Sequence, residues 1–186
     1  MIIFLDTTAS DFIMILLDQN FKVIDSIYLQ NYKKKVELIT SQFDFILQKN
    51  NLQVDEIKQF YINKGPGFFT GVRSSLVFVR TIALWNQIPI YTTNSFLILQ
   101  KQKTQNEYFI QANKFKKYHI TNDNLIKNNY FNLKDKIAIV ENNLDANLIN
   151  YQDLIDNFVK YKNIFYLEET MKIEPLYISK PQIGGQ

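Results

Sequence analysis

Three of the five glycines lie within seven residues, in Asn63-Lys64-Gly65-Pro66-Gly67-Phe68-Phe69-Thr70-Gly71-Val72-Arg73. An apolar run precedes this segment and an amphipathic stretch follows it, so the loop joins a strand to a helix. Backbone N–H groups and the helix dipole at such a junction can accept an anion. The same glycines can instead let the helix turn back tightly against the sheet, and the residues alone leave both readings open. The segment is not a P-loop, which needs Lys-Ser/Thr after the last glycine, nor a dinucleotide fingerprint. Thr70 is expected to cap the helix, its hydroxyl satisfying first-turn N–H groups.

Other chemistry-bearing residues are few. The chain has no Cys and one histidine, His119. Thiol nucleophiles, disulfides, zinc fingers and two-His metal sites are therefore excluded. His119 stands among Lys116, Lys117 and Asn122, as a strand or loop residue or as a general base. Asp6-Thr7-Thr8 ends the first apolar run. Asp6 reads as a strand-end turn residue or as the remnant of a metal-coordinating carboxylate, and Asp6-Thr7 resembles a first phosphate loop without its glycine. No metal site is expected.

The net charge of +3 comes from 21 basic and 18 acidic residues, yet only Arg73 and Arg80 are arginines. Arg is the residue best suited to bidentate phosphate and base contacts. Two do not make a nucleic-acid-reading surface, and the Lys, Asn and Ile excess reads as the codon bias of an A+T-rich genome. Lys33-Lys34-Lys35 could meet phosphates or form a solvated cluster. The opening apolar run is cut off by Asp6, too short for a signal peptide or a membrane span. A cytoplasmic protein without membrane attachment is expected.

The elements that must position these residues follow from periodicity. Residues 2–5, 12–17 and 23–29 read as a three-strand meander. Lys33–Lys49 reads as a helix with Val36, Ile39, Phe43, Ile46 and Leu47 on one face. Gln59–Asn63 is a strand, Thr70–Asn86 a helix, Ile88–Thr92 a strand and Ser95–Gln102 a short helix. This order gives an α/β fold, a mixed sheet with flanking helices of the ribonuclease-H-like type, as in the actin–Hsp70–sugar-kinase (ASKHA) group. The chain divides into an N-terminal lobe, residues 1–103, and a reduced second lobe with a C-terminal tail, residues 104–186. In the latter, 108–111, 115–120, 137–140 and 163–166 read as strands, 121–136 as loop and 151–159 as helix. The tail, 175–178, reads as extended.

Gly65-Pro66-Gly67-Phe68-Phe69-Thr70-Gly71-Val72-Arg73 resembles the Gly-Pro-Gly-Ser-Phe-Thr-Gly-hydrophobic-Arg signature of the TsaB (YeaZ) family. Ile3-Phe4-Leu5-Asp6-Thr7, Ile88-Pro89-Ile90 with Asn94-Ser95-Phe96, and Pro175-Leu176-Tyr177-Ile178 resemble that family's opening strand, later strand-to-helix step and terminal segment. Lys35-Val36 stands where the family often has His-Ser, and Gln111-Ala112-Asn113 where it has Asp-Ala-Arg. The resemblance implies a non-catalytic subunit that pairs with TsaD in forming N6-threonylcarbamoyladenosine in tRNAs reading codons that begin with adenine. It implies TsaE docking on the pair, a homodimer when alone, only indirect or weak tRNA contact, and no cofactor of its own, with room for ATP or ADP at a composite interface. A TsaD-like His-x-x-x-His metal site cannot be built from one histidine. The alternatives are an autonomous sugar-kinase-like phosphotransferase or peptidase, and a tRNA-binding module.

The two long helices carry more apolar surface than one sheet can cover. In Thr70–Asn86, Val72, Leu76, Val79 and Ala83 form one stripe, and Phe78, Ile82 and Trp85 a second about 120° away at 100° per residue. In the first helix, Leu38 and Phe45 fall opposite the core stripe. Leu38, Phe45, Phe78, Ile82 and Trp85 are therefore the expected partner surface, with Arg73 and Arg80 at its rim. The competing expectation is that the second lobe or the Tyr177 tail covers part of this stripe.

Overall fold

The computed structural model describes residues 1–32, 34–128, 130–141 and 144–178. Strands β1 (Ile2–Asp6), β2 (Phe12–Leu17) and β3 (Val23–Leu29) form the antiparallel meander. The chain then passes through a 3₁₀ turn (Lys35–Leu38) into α1 (Ile39–Lys49), with Lys33 outside the described residues. β4 (Gln59–Asn63), α2 (Phe69–Asn86), β5 (Ile90–Thr93) and α3 (Ser95–Gln102) follow. β4 runs parallel to β1, and β5 parallel to β4. The strand order is β3-β2-β1-β4-β5, with a last strand, β9 (Tyr166–Glu168), beside β5. The expected mixed α/β sheet with flanking helices is what the chain forms.

A second, three-stranded sheet consists of β6 (Glu107–Gln111), β7 (Lys117–Thr121) and β8 (Ala138–Val140), all antiparallel. Between β7 and β8, where a loop was expected, Asn122–Lys127 forms a short helix, α4. The reason is local: Thr121 caps it by accepting from the Asn124 N–H, and Leu125 is buried. α5 (Tyr151–Asp156) ends earlier than expected and passes into a 3₁₀ segment, Phe158–Ile164. The strand expected at 163–166 is displaced three residues onward, as β9 (Tyr166–Glu168), antiparallel to β5.

Both faces of the main sheet are covered, which is why β1 and β2 read as unbroken apolar runs rather than alternating ones. Ile3, Leu5, Met14, Phe60 and Ile62 face α1 and α2 through Ile39, Phe43, Ile46, Leu76, Val79 and Ala83. Phe4, Ile13, Ile15 and Tyr61 face Ile98, Tyr151, Leu154, Phe158 and Phe165. α3 is buried on two sides. Ile98 packs on the main sheet, while Phe96, Leu97 and Leu99 pack with Tyr108, Ile120 and Leu125 over the small sheet. Among the described residues no helix is long and apolar enough to cross a membrane.

Candidate functional site

The glycine loop and the end of β1 meet at one buried polar knot. Asp6, fully buried, accepts from the Thr8 N–H at 2.8 Å, Asn63 Nδ2 at 2.8 Å and the Tyr151 hydroxyl at 2.8 Å. Asn63 Nδ2 also lies 2.9 Å from Ser95 Oγ, which donates to the Pro66 carbonyl at 2.9 Å. β1, β4, α3, α5 and the loop are thereby fastened at one point. Burial raises the Asp6 carboxyl above its ordinary 3.8, while the bonds from Asn63, Thr8 and Tyr151 act in the opposite direction. Burial and the neighbouring Asp6 charge push the Tyr151 phenol well above 10.0. Thr7 is also spoken for: its hydroxyl donates to the Gly71 carbonyl at 2.8 Å.

Within the loop, Gly65 adopts a φ of +97°, a conformation that side-chain-bearing residues rarely take. Gly67 approaches the Thr8 backbone so closely that a Cβ would lie 2.3 Å from the Thr8 carbonyl oxygen. The next N–H, of Phe68, donates to that same oxygen at 2.7 Å. These glycines hold the start of α2 against the β1–β2 turn. The expected cap is corrected by the structure: the N-cap is Phe68, with no side-chain cap bond, and Thr70 lies within the first turn of α2. Because helical geometry begins at Phe69, the Thr70 hydroxyl has no N-cap position to occupy.

The α2 core stripe, Val72, Leu76, Val79 and Ala83, is buried. Phe78 and Ile82 are partly buried and pack on the same core, with the Phe78 ring edge-on to Phe43 of α1 at 5.3 Å. Leu38 is half-buried against that core as well. The open side of the two helices instead presents Trp85, 88% exposed, with Phe45 at 52%, Val77 at 53% and Leu84 at 49%. Arg73 is exposed. Arg80 is half-buried and its guanidinium donates to the Ile173 carbonyl. The tail does lie on α2, through buried Ile173 and the stack of Tyr177 on Phe69 at 5.2 Å. It covers the flank marked by Phe69 and Arg80, away from Phe78 and Trp85. Val77 and Leu84 lie outside the expected partner surface, on the side of the helix where only its rim residues Arg73 and Arg80 were placed.

His119 lies in β7, stacked on Phe109 at 4.7 Å, with Nε2 3.3 Å from the Glu107 carboxylate. Lys34 forms an exposed pair with Glu37 at 3.9 Å. Among the described residues no group of three or more His, Asp or Glu side chains is placed to hold a metal ion.

The tRNA N6-adenosine threonylcarbamoyltransferase family, TsaD, matches residues 30–130, more than half of the chain. The chain belongs to the TsaD family. Uncharacterised protein MG208 of Mycoplasma genitalium is 30% identical over 95 residues, covering 50% of this chain and 48% of that protein. Its Mycoplasma pneumoniae homologue is 30% identical over 80 residues, 42% and 41% of the two chains. Each match thus spans less than half of the relative's length. Among solved structures, YeaZ from Pseudomonas aeruginosa superposes with a TM-score of 0.54 at 16% identity, over 76% of this chain and 64% of that one. An uncharacterised protein described as similar to peptidase YeaZ from Pseudomonas aeruginosa gives 0.65 at 15% identity, over 96% and 99%. The fold is that of YeaZ, the protein whose motifs the glycine loop resembles.

Proposed function

We propose that this chain is the non-catalytic partner of a TsaD-type protein in forming N6-threonylcarbamoyladenosine in tRNAs reading codons that begin with adenine. The observation that carries the reading is the outward side of α1 and α2, where Phe45 of α1 and Val77, Leu84 and Trp85 of α2 are left exposed. Large apolar side chains left exposed on two adjacent helices are what a protein-docking surface requires. Family membership and the YeaZ fold support the pathway. The single histidine supports the division of labour, since one His cannot supply a two-His metal site. In this reading TsaE docks on the assembled pair, the free chain forms a homodimer through the same helices, any ATP or ADP sits at a composite interface, and tRNA contact is indirect or weak.

Co-purification with the same cell's TsaD protein is the direct test. Wild-type chain should co-elute with it, and the Phe45→Asp, Trp85→Asp double variant should remain folded and elute alone. Co-elution of that variant at unchanged affinity overturns the interface. Turnover of ATP by the highly purified single chain, abolished by Asp6→Ala, overturns the non-catalytic assignment.

A further inference from the structure

A cleft of about 730 Å³ opens between the β1–β2 turn, the glycine loop, α3, β6 and the segment leading into α5. Its size is within the range of small-molecule sites. Asp11, half-buried, forms part of its wall. One Asp11 oxygen accepts from the Asn31 N–H at 2.9 Å and from Ser10 Oγ at 3.1 Å, and the other accepts from the Tyr28 hydroxyl at 3.0 Å. Three neutral donors fix the carboxylate in orientation without cancelling its charge. Among the described residues it forms no ion pair with a Lys, Arg or His. Two carboxylate oxygens offer about four acceptor positions, so capacity remains for a further donor.

The rest of the lining decides the sign and shape of what fits. Exposed Asp145 adds a second negative charge, and among the described residues no Lys or Arg lines the cleft. Phosphate or carboxylate groups would enter against like charge with no cation to receive them. Phe68, Leu99, Ile110 and Ile149 supply apolar wall. The combination of one oriented, unneutralised carboxylate with apolar wall favours a charge-assisted bond to an ammonium while the ligand body leaves water.

We propose that this cleft binds a small organic cation, a primary amine carried on an apolar or aromatic body, with its ammonium on Asp11. The site is separate from the outward face of α1 and α2, so its test does not depend on pairing with TsaD.

Titration calorimetry on the full chain with three probes sharing one ring isolates the charge: tryptamine, its neutral isostere tryptophol, and indole-3-acetate. Tryptamine should bind at least about ten-fold more tightly than tryptophol, with indole-3-acetate and ATP weaker than both. Asp11→Asn should erase the tryptamine advantage while leaving tryptophol unchanged. Should Asp11→Asn fail to melt cooperatively, Ser10→Lys provides the second variant, its ammonium placed to occupy the carboxylate and abolish the same preference. Equal binding of tryptamine and tryptophol by the wild-type chain, absence of binding by either, an amine preference that survives both variants, or tighter binding of ATP overturns the proposal.

Discussion

Tyr151 donates its hydroxyl to Asp6 Oδ2 at 2.8 Å, a contact between residues 145 positions apart in the chain. This bond joins α5 to the end of the first strand, and it forms around a fully buried carboxyl whose proton affinity is raised by that burial. The folded chain therefore holds the Asp6 proton to higher pH than the unfolded chain does. As pH rises from about 3.8 through the raised value, the unfolded state ionises first, and the folded state loses stability relative to it. Below that window the contribution is fully present; above it the loss is constant. Asp6→Asn does not titrate there. Urea midpoints measured from about pH 3.5 to 8 should show the variant gaining on the wild type with rising pH. A difference that is flat or slopes the other way means the three donors stabilise the ionised form instead.

The glycine loop gives a stability prediction rather than a catalytic one. Gly67→Ala, and more so Gly67→Val, drives a side chain into the Thr8 carbonyl and should cost on the order of 1–3 kcal/mol in thermal or urea unfolding. Gly65→Ala acts differently, through its φ of +97°, and should cost about 1 kcal/mol. A Gly67 variant with wild-type melting that still loses partner-dependent tRNA modification would point to direct anion binding by the loop.

Lys64 and Glu168 pair at 2.6 Å with side chains only 11% and 13% exposed, and Lys64 Nζ lies 4.8 Å from the centre of the Tyr130 ring. Glu168 also accepts from the Thr92 hydroxyl. Removing one partner leaves the other charge buried without its counterion. Lys64→Met should cost about 3–5 kcal/mol, and Lys64→Met with Glu168→Leu markedly less than the single change. Equal losses in the single and double variants would show that the pair contributes through packing alone.

Phe78 and Trp85 belong to one stripe in the sequence but to different environments in the fold. Phe78→Ala should cost about 3 kcal/mol or more, because its ring packs on Phe43. Trp85→Ala, on a side chain 88% exposed, should stay within about 0.5 kcal/mol of wild type. Calorimetric melting of the two single variants distinguishes them, and comparable losses would mean that Trp85 is covered in solution.

Much of the main sheet was legible because its strands and helices each carry their own period. The apolar runs at 2–5 and 12–17 and the Ile39, Phe43, Ile46 spacing of α1 are local signals, and the glycine loop marks the strand-to-helix step. The misplacements share a physical cause in contacts between distant segments. β9 starts at Tyr166 because β5 pairs Thr92 with Tyr166 and Ile90 with Glu168; nothing within 163–168 sets that register. The stripe of Phe78 and Ile82 was read as outward because helix geometry alone does not reveal that α1 lies alongside. The cleft was invisible, as Asp11, Leu99, Ile110 and Ile149 come from separate segments that only the fold assembles.

The return of the C-terminal third to the first sheet sets an order of events during synthesis. Phe4, Ile13, Ile15 and Tyr61 are made early, but Tyr151, Phe158 and Phe165, which cover that face, emerge about 90 to 160 residues later. Until then a ribosome-bound chain shows an aromatic and aliphatic sheet face covered only in part, by Ile98 of α3, and β5 lacks its neighbour β9. The growing chain therefore passes through a sticky interval, which ends when the segment through Ile173 and Leu176 has docked on α2 and on the Lys64 carbonyl. Slow translation across residues 104–165 would lengthen that interval, making it the stage at which a nascent-chain chaperone has most to protect.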